Sequence, residues 1–70
     1  MSSSIYNRLK ALEQDGTAYE LDYITMTDGF IYRRARVLQL EEESLFISSE
    51  AFPEAYLKAS EIASFRINRL

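Results

Sequence analysis

The chain has neither cysteine nor histidine, so no disulfide can staple it and the usual thiolate and imidazole zinc sites are excluded. Proline occurs once and glycine twice in a sequence that is 47% hydrophobic, a composition that favours a packed domain over disorder. No apolar run approaches the roughly 20 residues of a membrane span. The start, Met1-Ser2-Ser3-Ser4, lacks the basic residues and apolar core of a signal peptide, so a cytoplasmic location without a membrane partner is the expectation. Glycine-rich phosphate loops and nucleophile elbows are missing as well. The carboxylates of Glu41, Glu42 and Glu43 are consecutive in an apparent turn, where solvent would keep them ordinary. A protein that is not an enzyme and carries no cofactor or metal is expected.

Seventy residues make one domain, spanning 1–70. A chain this short buries only about 60% of its unfolded surface, so it needs tight packing or partner subunits. The net charge of −3 argues against a general nucleic-acid binder, but the charge is zoned. Glu13 to Asp28 holds five acids and no base. Arg33, Arg34 and Arg36 follow without an acid, then Glu41 to Glu43, and after Tyr56 the cations Lys58, Arg66 and Arg69 outnumber Glu61. Zones of opposite sign suit subunit docking at least as well as phosphate contact.

Hydrophobic spacing places a helix at about 4–14. Ser4 is a candidate N-cap after two further serines. Ile5, Leu9 and Leu12 fall on one stripe with Tyr6 beside it, and Gly16 offers a left-handed stop. From Thr17 the period changes to two, and strands are expected over about 17–68. Tyr19, Leu21 and Tyr23 alternate with Glu20, Asp22 and Ile24, and Asp28-Gly29 turns the chain into a hairpin. The return strand, Phe30 to Leu40, has no clean phase: Ala35, Val37 and Gln39 compete with Leu38 and Leu40 for the inner face. A slip of this kind predicts a bulge or sharp bend. Short strands are expected at Leu45–Ile47, Ala55–Ala59 and Ala63–Asn68, with a loop around Pro53 and a tight turn at Ser60-Glu61-Ile62. The expected fold class is mainly β: an N-terminal helix, lying across one open end, followed by a strongly bent five-stranded small barrel of the SH3 type.

In order and spacing the chain resembles the Sm-like family (Sm, LSm and bacterial Hfq proteins) over nearly its full length. Ile5-Tyr6-Asn7-Arg8-Leu9-Lys10 is similar to the Hfq helix motif Phe-Leu-Asn-x-Leu-Arg. Asp28-Gly29 through Ile47 fits the family's hairpin and bent strand. Leu57-Lys58-Ala59-Ser60-Glu61-Ile62 is similar to the Ile-Arg-Gly-x-x-Ile of the Sm and LSm branch. The resemblance implies a barrel capped by the helix and a homo-oligomeric ring of roughly five to eight copies, joined through the fourth and fifth strands. Leu57, Phe65, Ile67 and Phe46 are the candidate subunit edges, since apolar strand edges invite aggregation unless paired. A monomeric SH3-like module is the alternative in which the same residues are ordinary core.

The resemblance also implies single-stranded RNA as a partner, bound at the ring face or pore. The family places an Asn in the third-strand region and an Arg-Gly or Lys-His pair in the last motif. Here those positions read Glu43-Ser44-Leu45-Phe46 and Lys58-Ala59, and the glycine at the start of the bend is replaced by Arg34 or Ala35. The RNA candidates that remain are Lys58 with Arg33, Arg34 and Arg36 for phosphate, and Tyr56 or Tyr32 for base stacking. Glu41 to Glu43 stand close enough to neutralise the arginines within a Debye length of about 8 Å. The expected function is therefore a ring-forming Sm-like protein that binds RNA weakly or in an unusual mode. The alternative is a ring that has lost RNA binding and presents its acidic face to a protein partner.

Overall fold

The computed structural model describes residues 4–70. Helix α1 runs Ser4–Gln14, followed by strands β1 (Tyr19–Met26), β2 (Ile31–Leu40), β3 (Ser44–Ser48), β4 (Ala55–Lys58) and β5 (Ile62–Arg69), with a 3-10 turn at Ala59–Glu61 between the last two. Ser4 is itself the first helical residue, and the serine before it lies outside the described residues. At the other end the Gly16 N–H donates to the Glu13 carbonyl and the Thr17 N–H to the Leu12 carbonyl, at 3.1 and 3.0 Å. These two bonds form the Schellman stop that glycine permits at φ +72°. No helix among the described residues is long and apolar enough to cross a membrane.

The strands form one antiparallel sheet in the order β4-β3-β2-β1-β5. The sheet is not closed into a barrel, which corrects the expectation above: β4 and β5 occupy opposite edges and do not pair with each other. β4 spans only Ala55–Lys58, and the 3-10 turn carries the chain from it directly to the far side of β1. The Thr27 N–H donates to the Glu61 carbonyl at 2.8 Å and pins that turn to the β1–β2 hairpin.

β2 belongs to two half-sheets. Ile31 to Ala35 pairs with β1, and Arg36 to Leu40 pairs with β3. Between the halves, Arg34 takes φ +53°, a left-handed conformation rare outside glycine, asparagine and aspartate. Its consequence is that Arg33 and Arg34 are both exposed before Ala35 returns to the core. A second slip occurs between Val37 and Gln39 opposite β3, which exposes Leu38 and brings Leu40 back inward. The irregular phase of β2 thus has two causes, a left-handed residue and a bulge. β1 is also less regular than its alternation predicts: Leu21 and Ile24 are both buried, with a register shift against β5 between Leu21 and Tyr23.

The bend turns the inner faces of both half-sheets toward one core. Leu21, Ile24 and Ala35 from one half meet Leu45, Ile47 and Leu57 from the other, and Ile5, Leu9 and Leu12 of α1 complete the cluster. Each leucine or isoleucine removed from water contributes about 1.5–3 kcal/mol and Ala35 less, opposed by chain entropy. Apart from these contacts, Arg8 of α1 lies over the Phe65 ring of β5 at 5.5 Å from its centroid.

Candidate functional site

Two grooves flank β4 and together contain three of the six residues expected to contact RNA. The first, about 750 Å³ and open to solvent, lies between the β2–β3 turn and the 3-10 turn and is lined by Glu41, Glu42, Glu43, Tyr56 and Lys58 among others. Backbone bonds hold its walls. The Ala59 N–H donates to the Glu43 carbonyl at 2.9 Å, and the Glu41 N–H to the Ser44 carbonyl at 3.1 Å. Gln39 Nε2 donates to the Glu41 carboxylate at 3.1 Å. Lys58 is exposed at the end of β4, so its ammonium shares this groove with three carboxylates. Such a site repels a polyphosphate more than it attracts one. Among the described residues no cluster of acidic side chains is arranged to hold a metal ion.

The second groove, about 430 Å³, spans the two half-sheets. Phe30 and Tyr32 of the β1–β2 hairpin meet Phe52 of the β3–β4 loop in a three-ring cluster. Ring centroids are 4.9, 5.6 and 5.6 Å apart, and the planes are inclined by 63–67°. Tyr56, 63% exposed, lines both grooves, and Asp28 and Glu61 stand on the rim of the second. Asp28 Oδ1 accepts the Phe30 N–H at 2.9 Å, which fixes the hairpin tip. The Ser49 N–H donates to the Phe52 carbonyl at 2.8 Å, and the Phe52 N–H to Ser49 Oγ at 3.2 Å, which fixes the loop.

The arginines are elsewhere. Tyr32 is half-buried toward the core side, whereas its neighbours Arg33 and Arg34 are exposed and line neither groove. Arg34 Nε lies 3.8 Å from Glu50 Oε2, with side chains 77% and 66% exposed. Arg36 is exposed beyond the bend, opposite Ser48. Lys58 and Tyr56 are thus brought into one groove, whereas the three arginines line neither groove.

The four candidate edge residues also separate. Leu57 is buried, so only its backbone reaches the β4 edge. Phe46 belongs to β3, an interior strand flanked by β2 and β4, and is not at an edge at all. Phe65 and Ile67 do lie on edge strand β5, half-buried against the core. Sequence reasoning singled out Tyr32 and Tyr56 individually but missed Phe30 and Phe52. The signal present was an aromatic next to each turn marker, Phe30 after Asp28-Gly29 and Phe52 before Pro53.

One titratable group outside the grooves is perturbed. The Tyr19 phenol is pushed well above its ordinary value, first by burial and then by its hydrogen bond to Glu13, 3.0 Å long, and that carboxylate's charge. No family model matches the chain, and comparison with curated proteins and with solved structures likewise finds no match.

Proposed function

We propose that this chain is a subunit of an Sm-like homo-oligomeric ring of roughly five to eight copies, and that the ring is a protein-docking scaffold. The observation that carries the reading is the pair of free strands. β4 and β5 lie at opposite edges of one open antiparallel sheet, and among the described residues neither has a ladder partner on its outer side. A free edge is a template for another strand, and a subunit with one such edge on each side can join head to tail until the rotation closes. The groove beside Lys58 supports a protein partner over RNA, because its three carboxylates outweigh its one ammonium.

RNA binding by the same ring is the second reading. It is favoured by Arg33 and Arg36, exposed on β2 with no acidic neighbour in that strand.

Sedimentation of the purified chain over a range of concentrations tests assembly. A single discrete oligomer supports the ring, and a monomer at high concentration refutes it. Titration with U-rich and A-rich oligonucleotides at two salt concentrations separates the two readings. Scaffold function predicts no salt-sensitive binding, whereas a phosphate-driven contact weakens steeply as salt rises. RNA affinity unchanged by Lys58→Ala would remove Lys58 from any RNA site.

A further inference from the structure

We propose that the aromatic groove between the β1–β2 hairpin and β4 is a docking site for an arginine side chain presented by an extended segment of a partner protein. This groove is distinct from the acid-lined one beside Lys58, and it is complete in a single chain whether or not copies assemble.

Exposed aromatic rings are the first reason. Phe30 and Phe52 are 43% and 41% exposed and Tyr56 is 63% exposed, although a small domain with little core to spare gains by burying such rings. Their grouping is the second. Phe30, Tyr32 and Phe52 touch edge to face at inclinations of 63–67°, which leaves ring faces uncovered where a parallel stack would hide them. Ring faces carry negative quadrupole charge and attract a cation.

The rim decides the sign of the ligand. Asp28 and Glu61 line the groove, among the described residues no cationic side chain does, and the Thr27–Glu61 backbone bond at 2.8 Å ties together the two segments that carry the acids. Asp28 uses Oδ1 to accept the Phe30 N–H, and its other carboxylate oxygen is not engaged by that bond. A guanidinium fits this set better than an ammonium, since its plane can lie against a ring while its N–H groups reach a carboxylate. The side chain and the groove make the contact without a backbone ladder, because β4 borders the groove through Tyr56 and Leu57 and its outer edge is the one that assembly fills. The anchors are held in place before binding by the Asp28–Phe30 and Ser49–Phe52 bonds, so little ordering cost is incurred on docking.

The test is an amide-resolved NMR titration of the full chain with a heptapeptide carrying one arginine among glycine and serine, and with its citrulline twin, which keeps the shape and loses the charge. The expected result is saturable shifts at Thr27 to Tyr32, Phe52 and Tyr56 with the arginine peptide, and binding about tenfold weaker with citrulline. The double variant D28N/E61Q is expected to weaken the arginine peptide about fivefold while retaining the fold, because the amide that replaces the Asp28 carboxylate still offers an oxygen to the Phe30 N–H. Phe52→Leu should weaken binding by a similar factor. Equal binding of the two peptides would mean a merely apolar groove and would overturn the proposal. So would shifts confined to Glu41, Glu42, Glu43 and Lys58, or no shifts at all. The proposal also fails if the Asp28, Phe30 and Phe52 resonances, which lie off the β4 edge, move when protein concentration is raised without peptide, since a second copy would then be the occupant, or if they move with a U-rich oligonucleotide.

Discussion

Replacing Arg34 by glycine and by alanine tests whether β2 bends where its backbone turns left-handed. At φ +53° a residue with a Cβ carries about 1–2 kcal/mol of steric cost that glycine escapes. Elsewhere in a strand the preference is reversed, and glycine is worse than alanine by about 0.5–1 kcal/mol because it loses more freedom on folding. Combining the two, Arg34→Gly should be more stable than Arg34→Ala by about 0.5–1 kcal/mol. Arg36→Gly should be less stable than Arg36→Ala by about the same amount, since Arg36 sits in the regular ladder opposite Ser48. The ion pair with Glu50 does not confuse the comparison. It is long at 3.8 Å and largely solvated, and both Arg34 variants remove it equally. A domain of this size has a total stability of about 3.5–10 kcal/mol, so inversions of this size are measurable by urea unfolding at one fixed protein concentration. If glycine were the worse residue at both positions, the left-handed bend at Arg34 would be refuted, and with it the reason both half-sheets face one core.

Two further outcomes are expected. Leu9 is fully buried between α1 and the sheet, so Leu9→Ala should cost about 2–5 kcal/mol in urea unfolding; a loss under about 1 kcal/mol would mean the helix is not part of the core. The raised Tyr19 phenol means the folded state holds that proton more tightly than the unfolded chain does. Its contribution to stability is therefore complete below the ordinary phenol value of 10.0 and is lost as pH rises above it. Wild type should lose stability relative to Tyr19→Phe above that point, and parallel curves up to about pH 11 would contradict the assignment.

Much of the fold was legible because its signals are local. The stripe of Ile5, Leu9 and Leu12, the stop at Gly16 and the turn at Asp28-Gly29 lie within a few residues of each other, and they correspond to α1 and the first hairpin. The disturbed phase of Phe30 to Leu40 announced an irregular strand. It did not say that Arg34 would take the left-handed conformation, because arginine has no intrinsic preference for it and only the joint demands of β1 and β3 on β2 impose it. The candidate residues fared unevenly for the same reason. Lys58 and Tyr56 are near each other in sequence and share a groove, whereas Tyr32 and Arg33 are adjacent in sequence and point to opposite faces.

What the sequence determined by itself is the inventory and the order of parts: one helix, five strands, no thiol or imidazole chemistry, and acids and bases laid out in alternating zones. Only the tertiary structure decided that β4 and β5 end up as opposite free edges, that Phe30, Tyr32 and Phe52 converge from two separate segments, and that Lys58 sits among carboxylates. The division has a physical cause. Turns and helix caps are set by the dihedral preferences of a few neighbouring residues, whereas edges and grooves depend on which distant strands pair and how sharply one of them bends.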